Sequence, residues 1–351
     1  SICLGFCCVI SYLSCRSSIQ FKAAFHLSGG YSLPVSDDEA GQRLDRFLQK
    51  HLKGVPFGLL QKLMRKGQIR VNSGRVKAAT RLVAGQSVRI PPMEERKIEE
   101  KKKIGERDAQ MMRDMVIYDD GYIIALNKPP GLATQGGTNV AKHVDGLLDV
   151  LVKEDGVRPR LVHRLDKDTS GLLLLARSSK VAKEMGRVFL SREIQKIYWA
   201  LTVPAPEMNE GEIRAPIMKS GGEGFEKMVV DEEGQSAITL FDIIERAHKQ
   251  AAFVAFWPRT GRTHQIRVHA AHMGCPIMGD GKYGGQEAFV DGMQHSRRVH
   301  LHAHSIKFKH PITGKQIELS APLADDLVKS WKNFGFDPYT EIVPFQDIKK
   351  F

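Results

Sequence analysis

At 351 residues the chain is too long for a single mini-domain and long enough for two domains, or one large domain with an appendage. A formal charge of +12 and a pI near 9.4 point to a polyanionic partner, with nucleic acid first, because Lys and Arg release condensed counterions when they neutralise phosphates; a basic surface or an organellar address has the same charge balance. Four of the five cysteines (Cys3, Cys7, Cys8, Cys15) fall in the first 15 residues and Cys275 stands alone, which excludes a disulfide framework or CxxC metal pair from the rest of the chain and argues for a reducing compartment.

Residues 1–36 contain no Asp or Glu and are rich in Ser and apolar residues, with Arg16 and Lys22. That composition fits an organellar transit peptide, expected over 1–30; the rival is a secretory apolar core over 2–13. No later stretch approaches the roughly 18 apolar residues that a membrane span requires.

Residues 31–92 read as a compact module. In "LLQKLMRKGQIRVNSGRV" a short helix sets Leu59, Leu60, Leu63 and Met64 on one face and Lys62, Arg65 and Lys66 on the other, with Gly67 as its stop. Alternation in "IRVN", a turn at Ser73 and Gly74, and "QSVRI" predict a small sheet beside it. Arg70, Arg75, Lys77, Arg81 and Arg89 add cations with almost no acidic partners nearby, so phosphate binding is favoured over a solvated charged face. Residues 93–112, rich in charge and poor in apolar period, read as a solvated linker or exposed helix.

A catalytic domain is expected over 113–342, with a tail at 343–351. "MVIYDDGYIIALNKPPG" predicts two strands around an Asp-Gly turn; "GLLLLARS" predicts a buried strand, with Ser178 or Ser179 capping a helix that carries Val181, Met185, Val188 and Phe189. "KIYWALTV", "ITLFDIIER" and "QAAFVAFWP" are further strands. Without regular βαβ alternation the expected class is α+β with a mostly antiparallel sheet.

Several tempting motifs fail. "DTSG" at Asp168 has Ser170 where an aspartic-protease signature needs Gly, and no second copy exists. His264, His269, His272, His300, His302 and His304 lack Cys or carboxylate at metal-ligand spacing, so they read as RNA-facing or core histidines and no metal is expected. "SGGEGFEK" lacks the Lys-Ser/Thr end of a phosphate loop and reads as a hairpin. What survives is spread over three segments. In "HRLDKDTSG", Asp166 precedes a hydrophobic strand, where a carboxylate needs a compensating cation. In "PRTGRTHQIRVHAAHMG", Thr260, Gly261 and Thr263 lead into a helix carrying Arg267, stopped by Gly274. An Arg there would pair with Asp166 and hold it ionised for nucleophilic work; Asp168 is expected to brace the turn through Thr169, Ser170 or neighbouring amides.

The segments "HRLDKDTSGLLLLAR", "KIYWA" at 196–200 and "GRTHQIRVH" at 261–269, followed by "GCPIMGDGKYG", resemble the three signature motifs of the RluA family of pseudouridine synthases, over about 116–337 and including "LNKPPGLATQGG" and "LHAHSIKFKHP". "RLDRFL", "LQKLMRKGQIRVN" and "VKAATRLVAGQSVRI" resemble the small alpha-L RNA-binding module, and with it the chain is most similar to the RluC-like branch, which modifies large-subunit ribosomal RNA. The resemblance implies a pseudouridine synthase catalytic domain that isomerises uridine without cofactor or metal. Carried over by position, Asp166 is the nucleophile, Tyr198 stacks on the flipped base, Arg267 is the salt-bridge partner of Asp166, and Arg164 fills the space left by the uridine or contacts the backbone beside it. His163, Arg262, His264, Lys62, Arg65, Lys66, Arg70 and Arg75 are the expected RNA contacts. A monomer is expected, without membrane attachment, in mitochondria; plastid or cytoplasm is the alternative. The rival functions are a non-catalytic RNA-binding or ribosome-assembly factor on the same fold and, third, a histidine-based metal hydrolase.

Overall fold

The computed structural model describes residues 30–52, 55–92, 104–137, 140–191, 193–222, 227–290 and 296–346. The expected transit peptide, the first half of the expected linker and the last residues of the tail lie outside them. The chain divides into two compact units, 1–102 and 103–351.

The first unit runs β1 (Tyr31–Pro34), α1 (Leu44–His51), α2 (Phe57–Arg65), β2 (Arg70–Val71), β3 (Gly74–Arg75) and β4 (Ser87–Ile90), with its four strands in the order β1-β4-β2-β3. Leu60 and Met64 of α2 join Leu44, Phe47, Leu48 and Val88 in the core, while Lys62, Arg65 and Lys66 stay exposed. Gly67 ends the helix at φ 67°, a left-handed position that Gly occupies without steric cost. Register then aligns three arginines, because Arg70 faces Arg75 on one side and Arg89 on the other. Like charges side by side on a sheet destabilise it.

The second unit contains α3 (Glu106–Asp114), β5 (Val116–Asp119), β6 (Ile123–Lys128), α4 (Val144–Leu147), β7 (Arg160–Leu161), β8 (Ser170–Ala176), α5 (Ser179–Leu190), β9 (Gln195–Thr202), β10 (Glu210–Arg214), β11 (Ile217–Ser220), β12 (Lys227–Val230), β13 (Ile238–Ala247), β14 (Ala251–Pro258), α6 (Gln265–His272), β15 (Leu301–Lys309), β16 (Gln316–Ser320) and α7 (Asp325–Asn333). Residues 106–112 of the expected linker are helical, and Met112 belongs to the core. A ten-stranded sheet has the main order β10-β13-β14-β9-β15-β8-β6-β5, with β16 beside β15 and β7 beside β8. Among the described residues every pairing in it is antiparallel except β15 with β8, so the unit is α+β. Outside it, β11 and β12 form the hairpin expected of "SGGEGFEK"; its tip, 223–226, is not among the described residues.

Alternation decides what each strand presents to each face. In β14, Phe253, Ala255 and Trp257 enter one apolar cluster, with Trp331 of α7, while Ala252, Val254 and Phe256 enter another, with Ile266 and Ala270 of α6. In β9, Ile197, Trp199 and Leu201 join the first, leaving Tyr198 and Ala200 toward the second. The parallel contact of β8 with β15 is close: Gly171 has φ 106° and a Cβ there would lie 2.2 Å from the Ala303 carbonyl oxygen. Only Gly fits that approach.

Candidate active site

Asp166 sits on the loop between β7 and β8, and its backbone is tied down from both sides. The hydroxyl of buried Thr134 accepts from the Leu165 amide at 3.1 Å and donates to the Leu165 carbonyl at 2.7 Å. The amide of Gly131 donates to the Lys167 carbonyl at 2.8 Å, and that of Thr169 to the Asp166 carbonyl at 3.2 Å. Lys128, fully buried at the end of β6, donates to the carbonyls of Pro129 and Leu132, both at 2.9 Å, and of Lys167 at 3.3 Å. Burial pulls its pKa down to about 7, against the opposing pull of Asp166 and Asp168. One buried lysine thus bridges the "LNKPPGL" and "RLDKD" loops and supplies positive charge near both aspartates.

A cavity of about 590 Å³ opens in front of Asp166, lined also by Arg164, Lys196, Tyr198, Arg262, His264 and Arg267. Tyr198 reaches it from β9, in register with Phe256 and Ala303. Burial, and then the Asp166 charge, push its phenol well above the usual tyrosine range, so it is protonated at neutral pH. Arg164 and Arg262 are exposed at the cavity, and the Arg262 side chain donates to the Ser236 carbonyl at 3.1 Å. The turn before α6 is fixed by Gln265, whose side-chain oxygen accepts from Thr260 Oγ1 at 2.7 Å and from the Arg262 amide at 3.0 Å.

Three expectations need correction. Arg267 makes no ion pair within 4 Å of Asp166 among the described residues; its guanidinium grips Asp280 through two bonds of 2.7 Å. Both side chains are almost wholly buried, and a bidentate pair is the geometry that a buried guanidinium needs. Burial lowers the Arg267 pKa, but Asp280 more than reverses this, and Asp166 adds a through-space contribution. Asp168 does not brace its own turn: it faces Arg267, with Oδ2 at 3.8 Å from a guanidinium nitrogen. His163 is no open RNA contact, since its Nε2 accepts from the Leu174 amide at 2.8 Å and its ring stacks on Phe189.

The other histidines divide as follows. His269 bonds Thr239 Oγ1 and the Ala215 carbonyl, His300 the Met278 carbonyl and Ser330 Oγ, and His302 Ser170 Oγ and the Ala321 carbonyl. Both ring nitrogens of each are thereby engaged in the core. His304 stacks on Trp199, and His272 is exposed. His264 alone of the six lines the cavity, with Nε2 3.9 Å from Asp166 Oδ2. In the first unit Lys62, Arg65, Lys66 and Arg75 are exposed, and Arg70 is half-buried with its Nε donating to the Gly67 carbonyl.

A carboxylate on a pinned backbone, a protonated phenol and several cations lining one cavity are the groups that an enzyme acting on a planar ring borne by a polyanion would use. Residues 122–272 match the family described as RNA pseudouridylate synthase. The chain is 39% identical over 299 residues to the ribosomal large subunit pseudouridine synthase C of Yersinia pestis, covering 84% of this chain and 92% of that one. It is 37% identical over 298 residues to the protein of that name from Escherichia coli strain K12, covering 84% and 93%. The solved structure of human RNA pseudouridylate synthase domain containing 4 superposes with a TM-score of 0.54 at 26% identity, covering 65% of this chain and 97% of that one. The chain therefore belongs to the RNA pseudouridylate synthase family, in its RluA group, and is an isomerase.

Proposed function

We propose that the chain converts uridine to pseudouridine in large-subunit ribosomal RNA, with Asp166 as the nucleophile. The observation that carries this is the single cavity in which Asp166 and Tyr198 meet, rimmed by Arg164, Arg262 and Lys196; the names of the relatives support the choice of RNA. The reaction breaks the bond from the ribose to uracil N1, turns the base, and joins the ribose to C5. Substrate and product have the same atoms, so the chemistry needs no outside reagent.

The base must leave its stack, at a cost of a few kcal/mol offset by stacking and phosphate contacts. Tyr198 supplies an aromatic face, Arg164 the group beside the emptied position, and the exposed cations of the first unit bind backbone phosphates. Asp166 acts either on the ring or at the sugar, from a backbone that Thr134 and Lys128 hold in place. Arg267, neutralised by Asp280, acts on Asp166 through space. The acid-free composition of residues 1–36 supports a mitochondrial address, which imaging of the tagged full chain tests.

The experiment is Asp166→Asn on unmodified large-subunit ribosomal RNA made in vitro. Pseudouridine is expected to disappear while RNA binding is retained, since the Lys and Arg phosphate contacts that dominate affinity are unchanged. Pseudouridine formed by that variant would overturn the assignment of the nucleophile.

A further inference from the structure

We infer that His264 is a further catalytic group of this site, its Nε2–H aimed into the cavity as a hydrogen-bond donor to a carbonyl oxygen of the flipped uracil and fixed there by the phenol of Tyr283. The placement rests on the uridine reading of the cavity.

Four observations converge. His264 has a left-handed backbone, φ 54° and ψ 21°, directly before α6, and its side chain makes no cap bond to that helix. Such a conformation is strained for a residue with a Cβ and marks functional positions when neighbours maintain it. The neighbour here is Tyr283, whose Oη lies 2.6 Å from His264 Nδ1 with the rings edge to face. Arg267 and Lys227 lie over the Tyr283 ring at 5.0 and 5.3 Å and fix it in turn. Finally, His264 Nε2 stands 3.9 Å from Asp166 Oδ2, beyond hydrogen-bond range, with the cavity adjoining both.

The direction of the Tyr283–His264 bond fixes the tautomer. Burial raises the Tyr283 pKa, so the phenol keeps its proton, and its oxygen already accepts from the Met228 amide at 3.4 Å. In the inferred arrangement its O–H is donated to Nδ1. An imidazole that accepts at Nδ1 carries its proton on Nε2, and burial favours this neutral form of His264.

A donor at that point serves either course of the reaction. If the C1′–N1 bond breaks first, its electron pair enters the uracil ring and spreads to the carbonyl oxygens. If Asp166 first adds to the ring, the displaced π pair moves onto the conjugated carbonyl oxygen. Both put negative charge on a carbonyl oxygen, where a preorganised N–H stabilises it more in the transition state than in the ground state. The proton stays on Nε2 throughout, and no further reactant is required.

The test is steady-state kinetics of the full chain on unmodified large-subunit ribosomal RNA made in vitro, with 15N NMR of the histidine rings. His264→Ala is expected to lower kcat by about 100-fold with KM little changed, the size of effect seen on loss of one oxyanion donor. His264→Gln, which keeps an N–H, should recover at least about tenfold of that loss. The NMR spectrum should show His264 protonated on Nε2 in wild type, with the tautomer ratio shifting in Tyr283→Phe, the signature of a positioning role for the phenol. Wild-type kcat in His264→Ala, equal losses for Gln and Ala, or a proton on Nδ1 would each overturn the inference. If the wild-type chain makes no pseudouridine, the uridine reading itself fails; if Asp166-dependent turnover without His264 runs at the wild-type rate, only this inference does.

Discussion

Replacing Thr134 by Val tests whether the nucleophile loop is held by hydrogen bonds rather than by packing alone. Thr134 is 3% exposed and Leu165, whose amide and carbonyl it bonds, is 6% exposed. Val has nearly the shape of Thr, so the change removes two hydrogen bonds and leaves two buried backbone groups without partners. At about 1–3 kcal/mol for each of the two unsatisfied groups, unfolding stability should fall by about 2–6 kcal/mol. Thr134→Ser keeps the hydroxyl and loses one methyl, worth about 0.8 kcal/mol. Urea unfolding of the full chain measures both. Because Asp166 directly follows Leu165, Thr134→Val should also lower kcat by about 10- to 100-fold, as small misplacements of reacting groups do, with KM nearly unchanged since Thr134 is not among the cavity-lining residues. If the Val variant is no less stable than the Ser variant and turns over at the wild-type rate, the pinning mechanism is wrong.

Other parts of the molecule give equally direct tests. Changing Arg70, Arg75 and Arg89 together to Gln should reduce the slope of log affinity against log salt by about 2 to 3, measured by fluorescence anisotropy with a ribosomal RNA fragment. The same variant should fold at least as stably, because like charges no longer face one another across β2, β3 and β4. Gly171→Ala must both adopt φ 106° and clear a carbonyl oxygen 2.2 Å from the new Cβ, so a loss of about 3 kcal/mol or more is expected by urea unfolding. Burial lowers the pKa of His302 to about 3. The unfolded chain takes up that proton below about 6.5 and the folded chain does not until about 3, so this contribution to stability is present at neutral pH and is lost on acidification; about 1.4 kcal/mol should be gone at pH 5.5. Unfolding between pH 7 and 5.5 should show about 1.3 kcal/mol less decline in His302→Gln than in wild type.

Local pattern carries a great deal of this molecule. Richness in β-branched and aromatic residues marks β9, β13 and β14, the Asp-Gly turn marks the β5–β6 corner, and Gly67 and Gly274 mark helix ends, because each depends on residues within a few positions. The long-range partners are where sequence falls silent. Asp280 lies 13 positions beyond Arg267 in chain, in the quoted stretch "GDGKYG", yet nothing in its neighbours says that it, rather than Asp166, captures the guanidinium. Lys128 and Thr134 read as ordinary polar residues at a Pro-Pro turn and a loop; a lysine at the end of an apolar run is the faint signal that was there to use. His269, His300 and His302 are polar by type but core by partner, and partners from other strands are invisible until the sheet order is known.

The division of labour between the two aspartates follows from Asp280. A buried arginine must be neutralised somewhere, and a bidentate carboxylate does so most completely. Had Asp166 been that carboxylate, each of its oxygens would already accept a short hydrogen bond and keep fewer lone pairs for attack on a base or sugar. With Asp280 taking two guanidinium nitrogens at 2.7 Å, the remaining one is 3.8 Å from Asp168 and Asp166 is left without a direct bond to the cation. Arg267 and Lys128 still interact with Asp166 through space without occupying its oxygens. Losing Asp280 should therefore harm the site more than losing Asp168: Asp280→Asn leaves a buried guanidinium undercompensated and free to swing onto Asp166, whereas Asp168→Asn removes only a half-exposed neighbour. Parallel kcat measurements decide this, and equal effects of the two substitutions would mean that the Arg267–Asp280 pair does not protect the nucleophile.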